Sequence, residues 1–166
     1  MKSAASLYKD LEPSSEYYDK HSKLSPEQYH ERLLTSTTLY VGNLSFFTLE
    51  SQLLEVFSAC GPVLNLIMGL NKQKMQPCGF CFVEYATREH AAYAVELINK
   101  SIVDGRPIRV DWDYGFEPQR QFGRGKTGGQ VRDEMRKDKG GRDDDRPTYR
   151  AYNSTGSRGY EQRRGS

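Results

Sequence analysis

Between residues 37 and 113 the apolar positions of the chain switch repeatedly between two periods. In "TTLYVGNL" Leu39 and Val41 alternate with Thr38 and Tyr40, the pattern of a strand with one buried face. In "TLESQLLEVFSACG" Leu49, Leu53, Val56, Phe57 and Cys60 fall on one helical face, which predicts a helix opened by Thr48 as N-cap and closed by Gly61. "VLNLIMGL" reads as a second strand, "NKQKMQP" as a turn-rich loop and "CGFCFVEYA" as a third strand. "TREHAAYAVELINK" starts at a Thr87 cap and aligns Ala91, Ala94, Val95 and Ile98, and "VDGRPIRVDW" is a turn leading into a fourth strand. The order βαββαβ predicts an α+β, ferredoxin-like fold: a four-stranded antiparallel sheet with two helices on one face.

Outside this block the period fades. Residues 1–36 form an N-terminal arm with one helix-start signal, "SPEQYHERLL", where Ser25 is the cap, Pro26 the first helical residue and Gln28 the capping-box partner. A short helix over about 26–34 is expected there. The folded domain is expected over 37–115, a loop that orders on ligand binding over 116–135, and a disordered basic tail over 136–166, where "RKDKGGRDDDR" and "GSRGYEQRRGS" are too polar and Gly-rich to pack.

Composition sharpens that division. Of the 166 residues 36% are hydrophobic and 28% charged, which suits one domain with unpacked ends. The net charge of +2 is unevenly spread: −1 over residues 1–36, −2 over 37–115 and +5 over 116–166. A basic tail on a faintly acidic core points to a polyanionic partner met through the tail. Cys60, Cys78 and Cys81 cannot all pair, and no apolar stretch resembles a signal peptide or a membrane span, so a reducing compartment, cytosol or nucleus, and no membrane partner are expected.

Strand alternation sends Leu39, Val41, Cys81, Val83, Ile108 and Val110 toward the helices. Tyr40, Phe80, Phe82, Arg109 and Asp111 are then expected on the opposite, open face, with Tyr40 at the centre. "LYVGNL" and "CGFCFVEY" at these strand positions resemble the two signatures of the RNA recognition motif, the second matching at Gly79, Phe80, Phe82, Val83 and Tyr85. In that family the displayed aromatics stack bases. Cys78 replaces the usual phosphate-contacting basic residue and Cys81 a small one, so the domain itself is short of phosphate contacts. The competing reading is that the three rings pack beneath a terminal helix or a protein partner.

Asp111 and Asp113 stand beside this face in "RVDWDYGF", where carboxylates should repel phosphate. They suit a base that donates: guanine offers N1–H and its N2 amino group, and Arg109 can donate to O6. Each charged hydrogen bond contributes on the order of 1.5 to 3 kcal/mol if water is excluded. A cationic base such as 7-methylguanine fits better still, since stacking between tyrosines adds a cation–π attraction of roughly 2 kcal/mol. Trp112 points away from the open face by alternation and reads as a packing anchor for the two acids.

"TLYVGNLSF", "MGL", "CGFCFVEY", "DWDYGF" and "RQFGRGKTGGQVRDE" together resemble the small, cap-binding subunits of the nuclear cap-binding complex. The resemblance implies that Tyr40 and an arm tyrosine sandwich 7-methylguanine. Tyr17 is the choice from the Y-x-D-x-H spacing of "YYDKH", with Tyr18 as the fallback. It places the guanine edge on Arg109, Val110, Asp111, Trp112 and Asp113. It places the cap phosphates on Arg120, Gln121, Phe122, Gly123, Arg124, Gln130, Val131 and Arg132. It further implies capped RNA and a large partner subunit in a heterodimer, a nuclear location with shuttling to the cytoplasm, and a part in pre-mRNA splicing, processing and export. Met135 stands where the resemblance calls for an aromatic against the second nucleotide.

Other chemistries fit poorly. "GRGKT" lacks the first glycine of a phosphate-binding loop, where Arg120 stands, and follows no strand-to-helix turn. "CGFC" has the spacing of a metal or redox pair, but residues three apart in a strand face opposite ways. The two aspartates come with no nucleophile or metal cluster, so no catalytic residue, metal or cofactor is expected. A general single-strand RNA-binding protein without cap selectivity is the alternative, and a sheet that meets a peptide is the more distant one.

Overall fold

The computed structural model describes residues 18–135, so Tyr17, most of the arm and the tail 136–166 lie outside the described residues. The first element is helix α1 (Pro26–Thr35). Its capping box forms as predicted: Ser25 Oγ accepts the Gln28 N–H at 3.2 Å and Gln28 Oε1 accepts the Ser25 N–H at 3.0 Å. Then follow β1 (Thr38–Gly42), α2 (Glu50–Ser58), β2 (Val63–Leu70), β3 (Pro77–Tyr85), α3 (Arg88–Ile98), a hairpin of β4 (Ile102–Val103) and β5 (Arg106–Pro107), β6 (Arg109–Asp113) and a last turn of helix, α4 (Val131–Met135). The sheet order is β2-β3-β1-β6 with every neighbouring pair antiparallel. This is the expected ferredoxin-like plan, with β6 as the fourth strand of the sheet.

One local expectation is corrected, and three short elements are added. Helix α2 is capped at Leu49, not at Thr48: Gln52 Oε1 accepts the Leu49 N–H at 2.7 Å, while Thr48 Oγ1 donates to Asp104 Oδ2 at 2.7 Å across to the hairpin. The β4–β5 hairpin and α4 are too short to leave a period in the sequence.

The main core lies between the sheet and α2 and α3. Leu39, Val41, Cys81, Val83, Ile108 and Val110 face it as alternation predicts, against Leu53, Phe57, Ala91, Ala94 and Ile98. Each such large side chain contributes about 1.5 to 3 kcal/mol by leaving water. Trp112 joins this core, and the Arg88 guanidinium lies 4.0 Å above its ring. Arg88 Nη1 also donates to the carbonyls of Leu33 and Ser36 at 2.9 and 2.7 Å, which ties the end of α1 to α3. Cys78 and Cys81 belong to different clusters on the two faces of the sheet.

The second face is not open. Phe80 and Phe82 are only 5% and 2% exposed, and Tyr40 is half-buried, because the chain after β6 folds back across the sheet and covers them. The expectation of three displayed rings is therefore corrected: alternation fixes which face a side chain takes, not what lies on that face.

Candidate nucleic-acid interface

Residues 116–135 build a third layer on the sheet. The Phe116 ring packs against Phe82 at 5.4 Å between centroids. The segment then reaches the far edge, where the Leu70 N–H donates to Gln121 O at 2.7 Å and the Gly123 N–H donates to Leu70 O at 2.8 Å. It returns toward β1, with Gln130 Nε2 on Cys78 O at 2.6 Å and Arg132 Nη2 on Asn43 Oδ1 at 3.0 Å. Glu134 closes the turn between, accepting from the Thr127 hydroxyl at 2.6 Å and the Thr127 N–H at 2.7 Å, and the hydroxyl holds its carboxyl below the usual range. Backbone and side-chain bonds thus substitute for the apolar period this Gly-rich segment lacks.

A buried ion network fastens the layer to the arm. Arg120 makes a fork with Asp113, Nη1 to Oδ2 at 2.7 Å and Nη2 to Oδ1 at 2.8 Å, and its Nε donates to Asp19 Oδ2 at 3.0 Å. Arg124 Nη2 donates to Asp19 Oδ2 at 3.0 Å, and its Nη1 donates to Asp19 Oδ1. Asp19 and Asp113 are 1% and 0% exposed and Arg120 is 7% exposed. Burial alone would raise the Asp19 pKa, but the Arg124 hydrogen bond, the His21 N–H and the charges of both arginines outweigh it and bring it down to about 2. Burial likewise works against the Arg120 cation, and Asp113 more than compensates, so its pKa stands above the ordinary arginine value. The planar guanidinium also lies 4.8 Å from the Phe82 ring and 4.3 Å from Tyr114.

This network changes the standing of several predicted contacts. Asp113 does not present a carboxylate to a ligand: both oxygens are taken by Arg120, and Oδ2 also accepts the Gly115 N–H at 3.0 Å. Arg120 is likewise spent, its donors directed at Asp19, Asp113 and the Gly115 carbonyl. Val110 and Trp112 face the helix-side core. Of the guanine-edge segment, Arg109 and Asp111 remain on the sheet's second face, paired at 2.5 Å, with Asp111 directly opposite Tyr40 in the register.

A cleft of about 210 Å³ opens between the sheet and the new layer. Its floor is Tyr40, Phe80 and Phe82; its walls bring together Arg120, Phe122, Gly123, Arg124, Gln130, Val131 and Arg132, as predicted for one site. Gln121 is not among them, its backbone carbonyl accepting the Leu70 N–H at the end of β2, and Arg109 and Asp111 line a separate groove along β6. The Tyr40 ring lies 5.9 Å from Phe80 in a stacked arrangement and leans over Gly42, where an added Cβ would come to 3.1 Å from Tyr40 Cε1. Tyr18 packs instead on Tyr29 at 4.6 Å, and Tyr29 on Tyr114 at 5.1 Å. The Tyr29 hydroxyl accepts the Asp19 N–H at 3.0 Å, so α1 positions the arm carboxylate.

Asp19, Tyr29 and Tyr114 are site-building residues that sequence reasoning did not name. Asp19 stands within the Y-x-D-x-H spacing, which was the available signal. The whole arrangement is an aromatic floor with a cationic rim, suited to a planar ring carrying anionic groups. Its volume is below the roughly 300 to 1,000 Å³ of clefts that hold drug-sized ligands, as befits one ring system.

Residues 39–109 match the RNA recognition motif family. Nuclear cap-binding protein subunit 2 of Drosophila ananassae is 58% identical over 124 residues, covering 75% of this chain and 80% of that protein. The proteins of that name in Gallus gallus and Ixodes scapularis are each 56% identical over 124 residues, again 75% of this chain, and 74% and 82% of their own lengths. With the RNA recognition motif signatures on β1 and β3, and an identity that runs well beyond them, the chain belongs to the nuclear cap-binding protein subunit 2 family.

Proposed function

We propose that the chain binds the 7-methylguanosine cap of nuclear RNA polymerase II transcripts, as the small subunit of a heterodimer with a large partner, and so serves splicing, processing and RNA export in the nucleus and in transit to the cytoplasm. The observation that carries this reading is the clasp of Asp19 by Arg124, a cleft-wall residue. It holds the arm beside the cleft at a point two residues from Tyr17, a span of about 7 Å of extended chain. Tyr17 then closes over Tyr40 with the methylated base between them, a desolvated cation–π sandwich of roughly 2 kcal/mol. Tyr18 is the weaker candidate because its ring is already engaged by Tyr29.

Arg109 and Asp111 read the guanine edge, and Arg124, Gln130, Arg132 and the backbone around Val131 hold the triphosphate. Asp113 and Arg120 act by holding the site's shape rather than by touching the cap. Gln121, Phe122 and Gly123 seat the 116–135 segment on β2, and ligand binding draws this segment and the arm together into their final order. The covered state of Phe80 and Phe82 favours this over a general single-strand RNA-binding role, which would need both rings free for successive bases. Affinity for a capped dinucleotide with and without the N7 methyl, measured with the large subunit present, tests the reading. The methylated form should bind at least about tenfold more tightly, and equal affinities would exclude cap selectivity.

A further inference from the structure

Beside the cleft a second, larger groove of about 490 Å³ lies along β6 and the loop before it, lined by Asn43, Asn99, Lys100, Arg109, Asp111 and Arg132 among others. Arg132 borders both spaces. Three cations face one carboxylate here, and that carboxylate, Asp111, is already paired with Arg109 at 2.5 Å. The usual path across the sheet is closed, because the 116–135 layer lies on Phe80 and Phe82.

Two residues at the groove hold left-handed backbone. Asn43 has φ 59° and Lys100 φ 68°. Asparagine tolerates that region; lysine does so at some energetic disadvantage, and glycine would relieve it. Asn43 is a fixing point: its Oδ1 accepts from Arg106 at 2.8 Å and from Arg132 at 3.0 Å, and its Nδ2 donates to Pro107 O at 2.7 Å. Lys100 is exposed, but its backbone is locked by the Lys100 N–H to Ile108 O bond at 2.8 Å and the Ile108 N–H to Ser101 O bond at 2.9 Å. A rigid backbone therefore carries an outward ammonium at a position where the side chain is conformationally unfavourable.

We infer that this groove receives the RNA chain that follows the cap, with Lys100 on a backbone phosphate and Arg132 handing the strand over from the cleft. The inference rests on the cap-binding reading. It predicts sequence-independent contact, because Lys100 and Arg132 meet phosphates and not base edges.

The test compares a capped dinucleotide with a capped RNA of about ten unstructured nucleotides, using the full chain with its large subunit. The longer RNA should bind more tightly and with a steeper salt dependence. Lys100→Gly, which relieves the backbone, and Lys100→Glu should each remove on the order of two- to fivefold of that gain and lower the salt slope by about 0.7. Both should leave dinucleotide binding unchanged. A gain that survives both substitutions, or no gain in the unaltered chain, would overturn the groove while the cap reading stands. Failure of the unaltered chain to bind the dinucleotide would overturn both.

Discussion

Asp111 and Asp113 are two residues apart on one strand and look equivalent in the sequence, yet the structure separates their roles. Asp113 is fully buried with a forked Arg120; Asp111, its side chain 14% exposed, pairs with Arg109, which at 43% exposed still reaches water. Removing one member of a buried pair strands the other charge, so Asp113→Asn should destabilise the fold by about 3 kcal/mol. Asp111→Asn leaves behind an arginine that can turn to water, so it should cost less, about 1 kcal/mol, and act on guanine-cap affinity as well. Urea unfolding of the two variants separates these outcomes, and equal midpoints would mean the network is not structural. The acid side behaves in a definite direction too. Asp19 has a folded pKa of about 2, below the ordinary carboxylate value of 3.8, so its contribution is complete above about pH 4 and disappears as pH falls toward 2. Unfolding midpoints should drop through that window, and the drop should shrink in Asp19→Asn. Alternation made the shared face of the two acids legible; the pairing was not, because Arg120 meets Asp113 at a separation of 7 residues through a loop, and Asp19 at 101.

At the scale of elements, what was legible follows from period. Strands β1, β2, β3 and β6 and helices α1, α2 and α3 each turn a face to the helix-side core, and that burial writes a repeat into the sequence. The 116–135 segment writes none, since it is held by point contacts on carbonyls and carboxylates, so its place as a layer on Phe80 and Phe82 was not legible. Its closure depends on close backbone approach at Gly123, where an added Cβ would lie 2.5 Å from Gly128 O and Gly129 C. The obstacle is backbone on both sides and cannot rotate away. Gly123→Ala should therefore pry the segment from the end of β2 while leaving the helix-side core intact. Cap affinity is expected to fall on the order of tenfold or more, with the cooperative unfolding of the core retained. Near-unchanged cap binding would show that this closure is not part of the site.

Over the whole molecule, the site exists because two distant parts of the chain meet on a sheet neither belongs to. The arm contributes Asp19, the C-terminal layer contributes Arg120 and Arg124, and β1 and β3 supply only the aromatic floor. The cap-binding reading then requires arm and layer to act as one unit, with Asp19 as the clasp. A double-mutant cycle on capped-dinucleotide affinity measures this directly. Asp19→Asn loosens the arm; Arg124→Ala removes one of the two arginines that hold Asp19 and also a phosphate contact. With Arg124 gone Asp19 keeps only Arg120, so Asp19→Asn should have a smaller effect in that background. The coupling energy should be about 1 kcal/mol, within the range for residues sharing a charge network. Strict additivity would mean that arm and layer bind the cap independently, and the Asp19–Arg124 contact would then be a consequence of folding with no part in holding Tyr17 over Tyr40.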